Sequence, residues 1–499
     1  MIGLDRIRLI GLLLILIIIK YKEMSEVREL EPKAVWNHFE DLNAVPRPSK
    51  KEERVIEFAK NFGESLGLST YVDEVGNVII KKPATAGMEG RQTVILQSHL
   101  DMVCQKNSDT DFDFDTQGIQ SWIDGEWVKA KGTTLGADNG MGVAAIMTLL
   151  KSTDIPHPAL EALFTIDEET GMTGAFGLEM GILEGTILLN LDTEDDDEFS
   201  IGCAGGVDTN TYLKYEEVAA PEGTAYKISL TGLKGGHSGM DINLGRGNAN
   251  KLMNRVLWNN DVSIHSIDGG SLRNAIPRES FAVIVAGNDF KAEFDKRSAE
   301  IKEEFKSVEP DLTFELEEVE KPSTVMDKAT QENMCMALFA VHNGVYRMSP
   351  DIEGLVESSS SFARVKVADG RFVTQSLQRS SVESTKWDVA STVGNVFRLI
   401  GARVDHEGSY PGWKPNPSSS ILASMKVIYE DMFNEKPHVA ACHAGLECGI
   451  LGERYPGLDM ISFGPTIRNP HSPDEKVNIA SVQKFWKFLV KVLAETPAK

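Results

Sequence analysis

Three short apolar runs in this chain each give way to a residue that can bind a cation. Residues 93–98 run into His99, residues 162–164 are followed closely by Asp167-Glu168-Glu169, and residues 186–191 end at Asp192. Each run has the length and composition of a buried strand. Residues 140–150, between the first two, read as a helix of small and apolar residues. Strands alternating with helices specify an α/β layer structure. Packing does not call for acids at the strand ends, because an unpaired buried carboxylate is costly. Taken alone, the triplet at 167–169 is an acidic, solvated strand-to-helix turn. Two adjacent glutamates also suit a division of labour, one binding a cation and the other moving a proton.

The 499 residues are too many for one ordinary core, so two or three domains are expected. Residues 30–66 read as helical with a break at Pro46-Arg47-Pro48-Ser49, and Ser49 with Glu52 or Glu53 looks like a helix start. Residues 71–80 form a hairpin pattern around Gly76-Asn77, and 122–127 form a smaller one. After about residue 208 the texture changes. Residues 225–319 read as strand, helix, strand, strand, helix, strand, with helices near 246–259 and 290–307, which is a ferredoxin-like unit. A helix, three short strands near 352–357, 361–368 and 371–379, and a long helix from Glu383 follow. The length of this block suggests more than one such unit, although no sequence repeat is evident. The α/β texture returns after about residue 395, with helices near 418–433 and 479–494 and strands near 436–441 and 458–463. The parse is an apolar extension at 1–23, a catalytic domain at 24–207 and 396–499, and an inserted domain at 208–395.

A formal net charge of -23 argues against general nucleic-acid binding. The cysteines (Cys104, Cys203, Cys335, Cys442 and Cys448) are odd in number and form no C-x-x-C pair. Neither a disulfide framework nor a thiolate zinc site is indicated, and reduced thiols in a cytoplasmic protein are the simplest expectation. The run from Leu9 to Ile19 is shorter than the roughly 20 apolar residues a membrane span needs. It is long enough for an export signal, but no small-x-small cleavage site follows. Translation from Met24 is favoured, with no stable membrane partner. A membrane tether or export is the alternative.

Metal-competent residues gather at the predicted strand ends. His99 and Asp101 lie two apart on a strand and share a face. Imidazole suits zinc, and a nearby carboxylate can orient the ring. Residues 134–140 place Asp138 in a glycine-rich turn before a helix. A phosphate cradle is the rival there, but no G-K-[ST] follows and the acid opposes an anion. His471 lies in a proline-rich loop, Gly464-Pro465-Thr466-Ile467-Arg468-Asn469-Pro470-His471-Ser472-Pro473-Asp474-Glu475, and by itself would be an ordinary loop residue. Together these residues make an oxygen- and nitrogen-rich set suited to two divalent metals sharing a carboxylate. The acids could not converge without a cation.

The order His99-x-Asp101, Asp138, Glu168-Glu169, Asp192, His471 resembles the co-catalytic dizinc metallopeptidases that include carboxypeptidase G, aminoacylase, the aminotripeptidase and the carnosinases. The segments 98–103, 132–140 and 443–449 and the His471 loop are most similar to the bacterial aminoacyl-histidine (Xaa-His) dipeptidase branch. The similarity runs from Met24 onwards. It implies a catalytic domain with a mixed sheet flanked by helices, interrupted by an α+β lid domain. It implies that His99 and Asp192 complete one metal site, Glu169 and His471 the other, and that Asp138 bridges them. Asp101 would hold the His99 ring, Glu168 would be the general base, and Asp167 would be structural. In the lid, His237 of Gly235-Gly236-His237-Ser238-Gly239 would reach the substrate carbonyl, and Asn274 would be a polar substrate contact. Arg379 matches the arginine that receives the substrate carboxylate, with Arg273 and Arg468 as alternatives. Glu447 would line the pocket, either meeting the substrate amino group or serving a structural role.

The implied chemistry is hydrolysis of unblocked dipeptides, Xaa-His and carnosine-like peptides among them. Water activated between two divalent ions attacks the carbonyl, with Glu168 as base. The ions would be zinc, with manganese or cobalt as alternatives. An aminoacylase or tripeptidase of the same family, or a catalytically silent metal-binding protein, are the competing expectations. Dimerisation through the lid stays open, because a long insertion can supply both halves within one chain.

Overall fold

The computed structural model describes residues 26–499, so the apolar run at 9–19 and the expected extension at 1–23 lie outside the described residues. Among the described residues, no helix is long and apolar enough to cross a membrane. The chain forms two compact units. One comprises the residues up to Ile201, Asn416–Ala440 and Leu451–Lys499; the other comprises Gly202–Pro415 and Ala441–Ile450.

The first unit is built on an eight-stranded sheet in the order Ser69–Val72, Val78–Lys82, Leu160–Thr165, Val94–His99, Ile187–Asn190, Asp459–Ser462, Glu198–Cys203, His438–Cys442. The central strands Leu160–Thr165, Val94–His99, Ile187–Asn190 and Asp459–Ser462 run parallel. Three of these are buried along their whole length, which explains their predominantly apolar sequences. Parallel pairing puts all four carboxyl ends at one edge, where open α/β sheets bind ligands. The helix Ala137–Lys151 covers one face, and its small residues let it approach closely. A Cβ on Gly142 would lie 2.4 Å from the Ser98 hydroxyl. Elsewhere in this unit the helices Ser420–Phe433 and Ile479–Ala494 lock an aromatic cluster, with Phe199 stacked on Phe488 at 5.3 Å and Tyr429 edge-on to both.

A four-stranded sheet in the order Ile467–Arg468, Lys476–Asn478, Trp127–Ala130, Ser121–Asp124 also belongs to this unit. Its first two strands pair antiparallel, so residues 469–475 form a hairpin loop carrying His471. The helical region splits into Lys33–Asn43 and Glu53–Ser65, as the Pro46–Ser49 break predicts. Ser49 does not cap the second helix. Its hydroxyl donates to Asp101 Oδ2 at 2.8 Å instead.

The second unit contains a nine-stranded sheet. The strands Thr224–Thr231, Val262–Gly269, Ser280–Ala286 and Thr313–Glu318, with helices Ala249–Leu257 and Phe290–Phe305, form the expected βαββαβ arrangement. Numbered along the chain, those strands lie in the order 4-1-3-2. A second set repeats this order: Gly205–Lys214, Val356–Ala368, Arg371–Ser380 and Arg403–Tyr410, with helices Lys328–Ala340 and Glu383–Arg398. The two sets join through their equivalent second strands, antiparallel, with Ile267 opposite Val367 and Gly269 opposite Val365. Such a junction is self-complementary, like the contact between two copies of one subunit.

Two sequence expectations differ from this arrangement. The short strands expected near 352–357 and 361–368 are one 13-residue strand with a bulge after Phe362, and the additional strand is Gly344–Met348. The compact units divide at 201/202 and 415/416 rather than at 208 and 395. The reason is that Arg403–Tyr410 pairs with Gly205–Lys214, completing the second βαββαβ set. Ala441–Ile450 also belongs to the second unit, where Ala204 donates to the carbonyls of Cys442 and Ala444.

Candidate active site

At the carboxyl edge of the first unit's sheet the predicted residues converge. His99 ends its strand, buried, with Nε2 at 3.3 Å from Asp138 Oδ1 and 3.5 Å from Asp192 Oδ1. His471 Nε2 lies 3.2 Å from Asp138 Oδ2 and 2.8 Å from Glu169 Oε2. Asp138 therefore turns one oxygen to each imidazole. Three overlapping donor sets gather their ligand atoms within 4.8 Å: His99, Asp138 and Asp192; His99, Glu168 and Glu169; Asp138, Glu169 and His471.

The acids at 167–169 separate by backbone geometry. Asp167 adopts φ 54°, a left-handed conformation that aspartate tolerates. Its carboxylate accepts from the hydroxyls of Thr170 and Thr173, which fixes the turn. Glu168 and Glu169 then follow with their backbone N–H groups donating to Asp101 Oδ1 and Oδ2 at 3.1 and 3.3 Å. Asp101 is fully buried and also faces His99 Nδ1, at 3.4 Å from Oδ1, while its own carbonyl lies 3.2 Å from the same nitrogen. One carboxylate thus orients the His99 ring and the backbone of both glutamates.

Electrostatics show what this donor set requires. Burial and the neighbouring Asp138 and Glu169 push the Asp192 carboxyl up to about 6, against the opposing pull of His99. Burial, with Asp138 and Asp192 nearby, pushes Glu194 up to about 8. Hydrogen bonds donated to the Asp138 and Glu169 carboxylates raise His471 to about 11. Burial opposes charge on His99, but Asp192, Asp101 and Asp138 outweigh it and raise its pKa well above the usual histidine range. Mutually repelling carboxylates around two imidazoles call for positive charge at two points. Glu169 Oε1 is buried without a hydrogen-bond partner. An oxygen-rich set with two imidazoles and a carboxylate facing both fits two divalent cations, and Asp101 gives His99 the carboxylate support usual behind a metal-bound histidine.

Several residues that order this site were assigned no part in it from the sequence. Ser49 supports Asp101, as described above. Arg47 and Glu475 hold the backbone around Asp138. Arg47 and Ser49 stood in a helix break and Glu475 in a loop. Nothing local to those positions signals their partners.

The remaining predicted residues lie in the second unit. His237 Nδ1 accepts from the backbone N–H groups of Gly239 and Met240 at 3.1 and 2.9 Å, which assigns the ring proton to Nε2. Burial and the Arg379 charge push His237 down to about 4, so it is neutral near pH 7. The His237 backbone N–H donates to Asp241, which pairs with Arg246. Asn274 is exposed, and its backbone carbonyl accepts from the Ser238 N–H at 2.9 Å. Arg379 is 4 % exposed and donates to Tyr410 Oη at 2.8 Å and to the Ser238 hydroxyl at 3.3–3.4 Å. The alternative arginines are engaged with acids: Arg273 pairs with Asp208, and Arg468 with Asp195. Glu447 is 1 % exposed and opens the helix Glu447–Arg454. His443, four residues earlier, lies 2.7 Å from the Ser359 hydroxyl through Nε2.

Residues 95–495 match the sequence profile of Peptidase family M20/M25/M40. The chain belongs to this peptidase family. It is 42% identical over 485 residues to the cytosol non-specific dipeptidase of Escherichia coli (strain K12), covering 95% of this chain and 100% of that protein. Its fold matches the crystal structure of aminoacylhistidine dipeptidase from Vibrio alginolyticus with a TM-score of 0.89 and 45% identity, over 95% of this chain and 99% of that one. The aminopeptidase PepT of Bacillus cereus shares the fold alone, at a TM-score of 0.55 and 16% identity over 94% of this chain and 99% of that one.

Proposed function

We propose that this protein is a cytosolic metallo-dipeptidase that hydrolyses unblocked dipeptides, Xaa-His and carnosine-like peptides among them. The observation that carries this is the convergence of His99 and His471 on opposite oxygens of Asp138. The relatives named for dipeptidase activity, similar along nearly the whole chain, supply the substrate class. The ligands would be His99 and Asp192 for one ion, Glu169 and His471 for the other, and Asp138 for both. Zinc suits this donor set, and manganese or cobalt can occupy it. When bound, such ions act as Lewis acids that lower the pKa of water and polarise a carbonyl.

The chain's own groups divide the remaining work. Glu168 takes a proton from the attacking water and returns it to the leaving amine. His237 donates its Nε2–H to the carbonyl oxygen as negative charge develops there. Arg379, a buried cation donating to the hydroxyls of Ser238 and Tyr410, receives the substrate carboxylate. Asn274 adds a polar contact, and Glu447 meets the substrate amino group. The five cysteines form no disulfide with one another among the described residues.

The test is turnover on a panel of free and N-acetylated dipeptides and tripeptides, with a chelator control. Cleavage restricted to free dipeptides, abolished by chelator and restored by zinc, is expected. Preference for N-acetylated substrates would make the protein an aminoacylase, and preference for tripeptides a tripeptidase. Glu168→Gln should remove turnover while retaining metal, and full activity in that variant would exclude Glu168 as the base.

A further inference from the structure

We propose that Glu475, acting with Arg47 across the turn before Asp138, is a positioning residue that sets the spacing between the two halves of the metal site. Glu475 is 2 % exposed. Its Oε2 accepts from the backbone N–H groups of Leu135 and Gly136 at 2.7 and 3.0 Å. Its Oε1 accepts from those of Ala137 and Asp138 at 2.7 and 3.3 Å. Four consecutive N–H groups closing on one carboxylate form a nest that holds its anion tightly. The anion comes from the hairpin loop that carries His471, so the carboxylate ties the His471 loop to the Asp138 turn.

Arg47 completes the restraint. It is also 2 % exposed, and donates to the carbonyl of Gly136 at 2.6 Å and to those of Leu100 and Asp101 at 3.1 and 3.0 Å. It therefore joins the same turn to the strand end that carries His99 and Asp101. Gly136 makes the approach possible: its φ is +70°, and a Cβ there would lie 2.4 Å from the guanidinium. The Glu475 charge offsets part of what burial costs the Arg47 guanidinium, and both side chains direct most of their hydrogen bonds to backbone. Asp138 can then face His99 with one oxygen and His471 with the other because its backbone is held from both sides.

This inference rests on the metallo-dipeptidase proposal above. Its test measures wild type, Glu475→Gln and Glu475→Asp in parallel as full-length, zinc-loaded proteins. The readouts are zinc per chain after gel filtration, kcat and KM on a dipeptide that wild type cleaves, and melting temperature. Glutamine keeps the shape but presents an NH2 group to two of the four donors. Aspartate keeps the charge but falls a methylene short. Both variants should lose about 10- to 100-fold in zinc affinity or in kcat, the usual cost of removing an outer-shell support, with KM held within about threefold. Wild-type zinc content and kcat in Glu475→Gln would overturn the proposal. So would full activity in Glu475→Asp, because charge rather than geometry would then suffice. A lower melting temperature with wild-type zinc affinity and unchanged kcat per zinc-loaded chain would reduce Glu475 to a structural role and also overturn it. Failure of the underlying proposal is separable, since the wild type itself would then either bind no zinc or cleave no dipeptide.

Discussion

Replacing His237 with alanine tests whether a neutral imidazole of the second unit stabilises the transition state. Two backbone donors, Gly239 and Met240, occupy Nδ1, so the ring proton belongs on Nε2. Protonating Nδ1 would set a third N–H against those donors, and burial and Arg379 already push the ring down to about 4. Above about pH 5 the residue is therefore a neutral donor that does not titrate. Loss of one such donor costs about 10²–10³ in kcat, or about 2.7–4 kcal/mol of transition-state stabilisation. The hydrogen-bond partners of His237 are Gly239, Met240 and Asp241, so its removal should leave metal content unchanged. The assay is steady-state kinetics on a dipeptide across pH, with metal analysis of the same preparations. The variant should lose kcat at every pH while keeping the acid limb of kcat/KM where wild type has it. A kcat within about fivefold of wild type would refute the donor role. Disappearance of an acid limb near pH 6 would refute the neutral ring, because His237 would then be the group titrating there.

Asp101→Asn leaves one oxygen where two now serve the Ser49 hydroxyl, the N–H groups of Glu168 and Glu169, and the His99 ring. Two of these donors lose a charged acceptor, so stability should fall by about 3 kcal/mol in urea unfolding. Metal affinity should fall about 10- to 100-fold by competition with a chelator. Arg379→Ala should raise KM for a free dipeptide much more than for its C-terminal amide, since the guanidinium is assigned to the carboxylate; equal effects on both would remove that assignment. His38 is 7 % exposed, and burial with the nearby Lys151 pushes it down to about 4. The folded protein therefore refuses a proton that the unfolded chain accepts below pH 6.5, so its contribution to stability is lost as pH falls through that window. Between pH 7 and 5 this amounts to about 2 kcal/mol. The zinc-loaded His38→Gln variant should show a correspondingly shallower decline in urea unfolding over that range.

The local signals that proved legible were those written by backbone periodicity. Apolar runs bounded by turn residues marked the parallel strands, and the site residues stood at their carboxyl ends because parallel pairing exposes those ends together. The first βαββαβ set was readable because its strands and helices follow one another directly. Its counterpart was not, because the first strand, Gly205–Lys214, is separated from the rest by the whole of the first set. Arg403–Tyr410 consequently read as a return to the catalytic domain until its pairing with that strand was known.

By itself the sequence determined the two imidazoles, the acids around them and the fold class, because residue type and strand-end position both survive in one dimension. Only the tertiary structure decided how they are held. Glu475 reaches Leu135 across 340 positions, and Asp101 reaches Glu168 across 67. Those bonds are to backbone N–H groups, which every residue except proline carries, so no pattern of side chains can announce them. The division of Asp167-Glu168-Glu169 into a turn-former and two oriented glutamates likewise depends on φ at Asp167 and on Asp101 beneath the turn. Chemistry is inscribed in residue identity, whereas the positioning of that chemistry is inscribed in backbone contacts that exist only after folding.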